Sequence, residues 1–268
     1  MRFLPKRKPS VAVIRLNGVI GGGSRIGGAG LNDASLKPQI EAAFKRGKPV
    51  AVALAINSPG GSPTQSALIA ARIRALAAET GIPVLAFCED VAASGGYWLA
   101  TAGDEIHADE SSILGSIGVI SAGFGLQELI GKIGVERRMY TAGESKSMLD
   151  PFQPEKIEDL KKMDVMLAAI HKNFIAQVRS RRGAKLKEDG LFTGAVFVGR
   201  AAVDNGLIDG IGHLEPTMRA RFGDNVRFRE QKQKRSLLSR FGITGPDGMP
   251  ESVMAALESR AIWARFGL

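Results

Sequence analysis

The residues best suited to chemistry in this 268-residue chain lie in two glycine-rich segments and one short lysine-bearing stretch. Asn57-Ser58-Pro59-Gly60-Gly61 follows directly on an apolar run ending at Ile56. Ala92-Ala93-Ser94-Gly95-Gly96-Tyr97 comes shortly after another, which ends at Cys88. In α/β sheets ligands gather where strands end. Paired glycines at such a place free backbone N–H groups to point at a ligand, as an oxyanion hole requires. Ser94 sits among small residues at the opening of a helix, approachable and near a partially positive helix end. Two readings follow: a nucleophile, or a helix cap with the glycines making tight turns.

A serine hydroxyl needs a base. His107, His171 and His213 are scattered through the sequence and read as ordinary surface or boundary residues. With no H-E-x-x-H, no second cysteine beside Cys88 and no acid cluster at ligand spacing, a metal enzyme is not expected. A lysine is the next choice, provided burial keeps it neutral near pH 7. Lys146, within Glu144-Ser145-Lys146-Ser147-Met148, is the best placed. The serines can hydrogen-bond its amine, and Met148, Leu149 and Phe152 can desolvate it. The alternative is a solvated loop lysine, the ordinary place of that residue.

The elements that must position these groups alternate. Ser10–Ile20 and Pro49–Ile56 read as strands, with Asn32–Arg46 as a helix between them. Gly21–Gly30 holds six glycines without either phosphate-loop motif, and reads as a plain loop. Thr64–Glu79 predicts a helix, Pro83–Cys88 a strand and Ala92–Ala102 a short helix. Glu105–Ala108 and Arg137–Thr141 predict further strands, and Pro154–Arg182 the longest helix. Such alternation argues for an α/β layered domain. Beyond Phe222 the composition turns basic, Gly242–Pro250 is a breaker, and Glu251–Phe266 predicts a last helix. The expected division is therefore residues 1–222 as the main domain and 223–268 as a basic extension.

Composition sets bounds. At 44% hydrophobic and 24% charged the chain is an ordinary globular one, and a single cysteine excludes a disulfide scaffold and fits a reducing compartment. No apolar run reaches the roughly 18 residues of a membrane span, and no signal peptide is read. The net charge of +9 sits at the ends: residues 1–8 carry Arg2, Lys6, Arg7 and Lys8 without an acid, and residues 219–240 carry eight basic residues against Asp224 and Glu230. Those ends are either plain solvated tails or a means of meeting anionic lipid. Two Trp and two Tyr, without basic-aromatic interleaving, leave nucleic acid unexpected.

Taken in order, the segments resemble the signal peptide peptidase A family of Ser/Lys proteases. The likeness runs from about Val11 to His213 through NSPGG at Asn57–Gly61, AASGGYW at Ala92–Trp98, LGSIGV at Leu114–Val119, KSMLDPF at Lys146–Phe152 and GRAAVDNGLIDGIG at Gly199–Gly212. The resemblance implies a crotonase/Clp protease-like α/β fold of stacked ββα units, with strands in two near-perpendicular sheets. It implies a hydrolase in which Ser94 is the nucleophile, Lys146 the general base and Ser116 the group that orients the lysine. The amides of Gly61 and Gly95 would form the oxyanion hole. No cofactor or metal is implied. The partners would be peptide or unfolded protein substrates, spent signal peptides among them, and other copies of the chain in a ring whose sites are shared between neighbours. Typical members carry an N-terminal membrane anchor; here only Lys6-Arg7-Lys8 precedes the first strand, so a cytoplasmic protein with peripheral membrane contact is the expectation. Two other readings stay open: a crotonase-like acyl-CoA hydrolase or isomerase, for which Glu89-Asp90 is the nearest acid pair, and a non-catalytic ring scaffold.

Overall fold

The computed structural model describes residues 8–21, 30–143, 145–187, 189–231 and 260–268. The chain divides into two compact units, one formed by Met1–Ile117 with Phe174–Leu268 and the other by Gly118–Asn173.

The first unit is built on three parallel strands, β1 (Ser10–Asn17), β2 (Ala51–Ser58) and β3 (Val84–Ala93), joined through helices α1 (Asp33–Lys45) and α2 (Pro63–Thr80). The two faces of the sheet read directly from the alternation along each strand. Ile14, Leu16, Leu54 and Ile56 turn to one face, where they pack with Leu36 and Ile40 of α1 and Ile69 and Ile73 of α2. Val11, Val13, Ala51, Ala53, Leu85 and Phe87 turn to the other. That second face is covered by Met218, Leu214 and Phe222 of α7 (Leu214–Phe222). With both faces covered, the strands are nearly continuous runs of buried residues, the signature of a parallel sheet. Helix ends are set by local chemistry. Asn32 caps α1 by accepting from the Ser35 amide at 2.9 Å, and Gly81, at φ +69°, closes α2.

β3 is longer than its neighbours, and the sheet branches along it. Leu85–Cys88 pair with β4 (Glu105–Ala108), whereas Val91–Ala93 pair with β5 (Ile113–Gly115). β6 (Val196–Val198) adds antiparallel to β5, and β7 (Gly210–Ile211) adds to β4. Among the described residues the strands thus form one connected ladder of eight with a fork, rather than two separate sheets. At the far edge β8 (Arg227–Glu230) pairs parallel with β1. The sheet therefore runs past the boundary expected at Phe222, because β1 would otherwise leave a row of backbone groups without partners. Of the last expected helix, residues 260–264 are helical; its earlier part lies outside the described residues, as do most of the basic extension and residues 22–29 of the glycine-rich loop.

Between β3 and β4 lies the short helix α3 (Gly95–Ala100), whose Tyr97 is wholly buried and donates to the Leu207 carbonyl at 2.7 Å. α6 (Gly199–Asp204) precedes β7. The long helix α5 (Ile157–Arg182) has its last nine residues, from Phe174, in this unit. Phe174 stacks on Trp98 with ring centroids 4.9 Å apart.

In the second unit the described residues hold a short helix, α4 (Gln127–Lys132), and the first part of α5, the rest being irregular. The strand expected over Arg137–Thr141 is absent: among the described residues no other segment pairs with it, and a short run cannot hold a strand without a partner. Arg137 instead reaches Asp150 at 3.4 Å and lies over the Phe152 ring. Among the described residues no helix is long and apolar enough to cross a membrane.

The end of α5 is fixed by a buried ion pair. Arg182, 4% exposed, donates from Nη1 to Asp209 at 2.7 Å and from Nε to the Gly206 carbonyl at 2.9 Å. Asp209 also accepts from Lys185 at 2.6 Å and from the Ile106 amide at 2.8 Å. Burial pushes the Asp209 carboxyl upward, but the hydrogen bonds from Arg182, Lys185 and Ile106 outweigh it and hold its pKa at about 2, against an ordinary 3.8. A carboxylate lowered in this way stabilises the fold above its unfolded pKa and loses that contribution as pH falls through its folded one. Asp209→Asn is expected to cost about 3 kcal/mol near neutral pH by stranding a buried guanidinium. In urea titrations the gap to wild type should close as pH falls from 3.8 toward about 2; a gap that persists there would remove the charge from the explanation.

Candidate active site

Two strand exits meet at one end of the sheet of the first unit. β2 ends at Ser58, whose hydroxyl donates to the Gly18 carbonyl at 2.7 Å and accepts from the Gly60 amide at 3.2 Å. Gly60 and Gly61 then run beside Ile20. The Ile20 amide donates to the Gly60 carbonyl and the Ser62 amide to the Ile20 carbonyl, each at 2.8 Å. Alternate amides of an extended chain point to opposite sides, so the Gly61 N–H is turned away from Ile20. Among the described residues it has no acceptor. Gly61, at φ +139°, has the Ile20 carbonyl where a Cβ would stand.

The exit of β3 is tighter. Ser94 is held at φ +51° and ψ −122°, a backbone region that side-chain-bearing residues seldom enter. It opens α3 but makes no side-chain capping bond, so the helix-cap reading of this serine is not what the geometry shows. Its neighbours Ala93 and Gly95 are buried, whereas Ser94 itself is partly exposed. The next amide, Gly95 N–H, is also without an acceptor among the described residues. The two exits touch closely enough that glycine is required at both. A Cβ on Gly60 would lie 2.8 Å from Ser94 Cβ and 2.9 Å from the Gly95 nitrogen. One on Gly95 would lie 2.5 Å from the Ser66 hydroxyl.

Ser116 comes to the same place by strand register. Ala93 pairs with Gly115, the Ser94 amide donates to the Gly115 carbonyl at 2.8 Å, and Ser116 follows directly. It too has a positive φ, +49°, and is pinned by its own amide to the Ala195 carbonyl at 2.7 Å. Ser94, Ser116, Gly61 and Gly95 are thus gathered in one unit. Ile20 and Ser66, which wall the two glycines, were not singled out from the sequence. Neither residue type carries a signal, and only the contact reveals them.

Lys146 belongs to the second unit. It stands exposed in a turn, its amide bonded to the Gly143 carbonyl at 3.2 Å. The expected help from its own neighbours is not there. Ser145 accepts from Lys162 at 2.7 Å instead, and the half-buried Met148, Leu149 and Phe152 leave the lysine in solvent. Cys88, near the end of β3, offers no competing nucleophile: burial, with Glu89 adding to it, pushes its thiol up to about 12. The acid pair weighed for acyl-CoA chemistry is engaged elsewhere, Glu89 with Arg15 at 3.0 Å and Asp90 with Asn57 at 2.7 Å.

Comparison with known proteins follows the same lines. Residues 77–221 match the model of peptidase family S49. The chain is 46% identical, over its whole length, to part of a protein of Brucella melitensis named Na(+)/H(+) antiporter NhaA, of which it covers 39%. It is 34% identical to the chloroplastic serine protease SPPA of Arabidopsis thaliana, over 77% of this chain and 31% of that one. The chain therefore spans less than half the length of these curated relatives. Among solved structures, two variants of the 1510-N membrane-bound stomatin-specific protease share the fold at 14% identity. A serine-to-alanine variant gives a TM-score of 0.52 over 85% of this chain and 100% of that one. A lysine-to-alanine variant in complex with a substrate peptide gives 0.54 over 93% and 99%. With more than half of its residues under the family model and its serine, glycine and lysine motifs in order, the chain belongs to peptidase family S49.

Proposed function

We propose that the chain is a serine endopeptidase that cleaves peptides or unfolded proteins, spent signal peptides among them, with Ser94 as nucleophile and Lys146 as general base. The observation that carries this reading is the state of Ser94: its backbone is held at positive φ, its hydroxyl is not used as a cap, and the Gly95 amide that follows it has, like that of Gly61, no acceptor among the described residues. Lys146 takes the hydroxyl proton as the oxygen attacks the scissile carbonyl, while Ser116 orients the amine. The Gly61 and Gly95 amides receive the developing oxyanion, and the loss of one such donor typically costs about 2.7–4 kcal/mol in the barrier. The lysine returns its proton to the leaving amine, and water then hydrolyses the acyl-enzyme.

In this reading the chain acts in a homo-oligomeric ring, with Ser94 of one copy served by Lys146 of the next. Two features support it. Lys146 is exposed in the single chain, so the desolvation that a lysine base requires has to come from outside its own unit. That unit also exposes large apolar side chains, among them Phe124, Ile133, Tyr140 and Val165, at 81%, 65%, 92% and 71%. The peptidase body comprises residues up to Phe222 together with β8, and the basic residues that follow form an extension. We read the protein as cytoplasmic, in keeping with its one buried cysteine, with its basic ends meeting anionic membrane at the surface.

Four outcomes test this. Because Ser94 makes no capping bond, Ser94→Ala should change stability by less than about 0.5 kcal/mol, where a lost cap would cost about 1 kcal/mol. Ser94→Gly, freed from the positive-φ penalty, should be more stable than wild type by roughly 1 kcal/mol in urea, and inactive. Hydrolysis of unfolded protein by wild type should rise from neutral to mildly alkaline pH, since the base must be unprotonated; a flat or falling profile would take Lys146 out of that role. Finally, Ser94→Ala and Lys146→Ala should each be dead, yet their mixture should regain up to about a quarter of the sites. Recovery of nothing would mean that each site is built within one chain.

A further inference from the structure

β1, β2, β3 and β8 all run parallel, so one end of the sheet collects their starts and the other their exits. Ser94 and Gly61 belong to the exits, roughly 25 Å away along the strands. The starting end gathers cations from three stretches of chain: Lys8 ahead of β1, Lys45, Arg46 and Lys48 between α1 and β2, and Arg227 and Arg229 on β8. Backbone contacts bring them together. The Arg227 amide donates to the Pro9 carbonyl and the Val50 amide to the Ser10 carbonyl, each at 2.9 Å. Arg229 donates from Nη2 to the Arg46 carbonyl at 3.1 Å, its guanidinium lying where a Cβ on Gly47 would stand.

Other arginines of this unit have partners: Arg15 pairs with Glu89, Arg219 with Glu215 and Arg221 with Glu105. Among the described residues, none of the six at the starting rim is in an ion pair. A crowd of unpaired cations repels itself, and that cost falls when anions arrive.

The character of that anion follows from what is attached to the rim. The segment entering at Lys8 is Met1-Arg2-Phe3-Leu4-Pro5-Lys6-Arg7, which adds three cations and three large apolar side chains and no acid. Cations interleaved with apolar groups suit a lipid interface, where headgroup phosphates meet the first and the acyl boundary the second. A nucleic acid backbone would use the charges and leave Met1, Phe3 and Leu4 without a role. We infer that this rim is the surface by which the domain docks on an anionic membrane. The inference locates the membrane contact proposed above on the folded body, and it does not depend on the chemistry of Ser94.

The full chain should sediment with vesicles containing about 30% phosphatidylserine and not with pure phosphatidylcholine, and should be released as salt is raised. The triple variant Lys8→Gln/Lys48→Gln/Arg227→Gln, all at exposed positions, should weaken binding at least about tenfold while melting as wild type does. Lys132→Gln/Arg138→Gln, on the second unit, should leave binding unchanged and so exclude a general charge effect. Wild-type partition by the triple variant would overturn the inference. So would binding to neutral vesicles, displacement from vesicles by inorganic phosphate, or retention of duplex DNA without vesicle binding. Peptide hydrolysis measured on the same preparations keeps the two proposals apart: an inert wild type that still binds vesicles through the rim would sink the peptidase reading alone.

Discussion

The structure of the first unit depends on a contact too close to admit a side chain on its glycines. Where β2 and β3 end, Gly60 and Gly61 press against Ile20 and against the Ser94–Gly95 turn, and Gly96 against the Ser58 carbonyl, at distances that leave no room for a Cβ. Only glycine permits so close an approach, and it is this that brings the two strand exits together. Everything else in the unit holds that seam closed. The core face of large aliphatic residues keeps β2 and β3 in register, Ser58 ties the first loop to Gly18, and Tyr97 anchors α3 to Leu207.

The fork in β3 extends the same logic to a third strand. Because its last residues pair with β5 rather than β4, Ser94 and Ser116 emerge from adjacent strand ends in step, each with a left-handed backbone. Strain of this kind costs about 1–3 kcal/mol per residue and survives only where surrounding structure over-determines it. Here the bonds from the Ser94 amide to Gly115 and from the Ser116 amide to Ala195 do so. Among the described residues of its own unit Lys146 has no comparable support, and it stands in a solvent-exposed turn.

The motifs could be read from the sequence because their demands are chemical: a seam without room for Cβ atoms requires glycine, and Asn57–Gly61 and Ala92–Tyr97 declare it. The family and the α/β fold that the motifs suggested are borne out. What escaped reading was decided at a distance. β5, β6 and β8 have three or four residues each and exist only because β3, β5 and β1 offer them partners far along the chain. Arg137–Thr141 shows the converse, an expected strand with which nothing among the described residues pairs. The positive φ of Ser116 could not be foreseen from a residue that rarely adopts it, and its place beside Ser94 came only through the family resemblance. The basic rim was half visible: Arg227 and Arg229 stood out in the tail, but the cations of Lys45–Lys48 lie far from them in the chain and join them only through the fold.

The pairing of β1 with β8 has a consequence for how the protein is made. Ser10 and Arg227 are neighbours in the sheet but more than 200 residues apart in the order of synthesis. At about 5–20 residues per second, some 10–40 seconds pass between their emergence from the ribosome. Throughout that time one edge of an apolar strand waits uncovered, after β2 has become available to its other side. A nascent chain in that state presents the open edge on which misassembly begins. The pairing of this short edge strand therefore also marks the moment at which that edge of β1 no longer needs shielding from neighbouring chains.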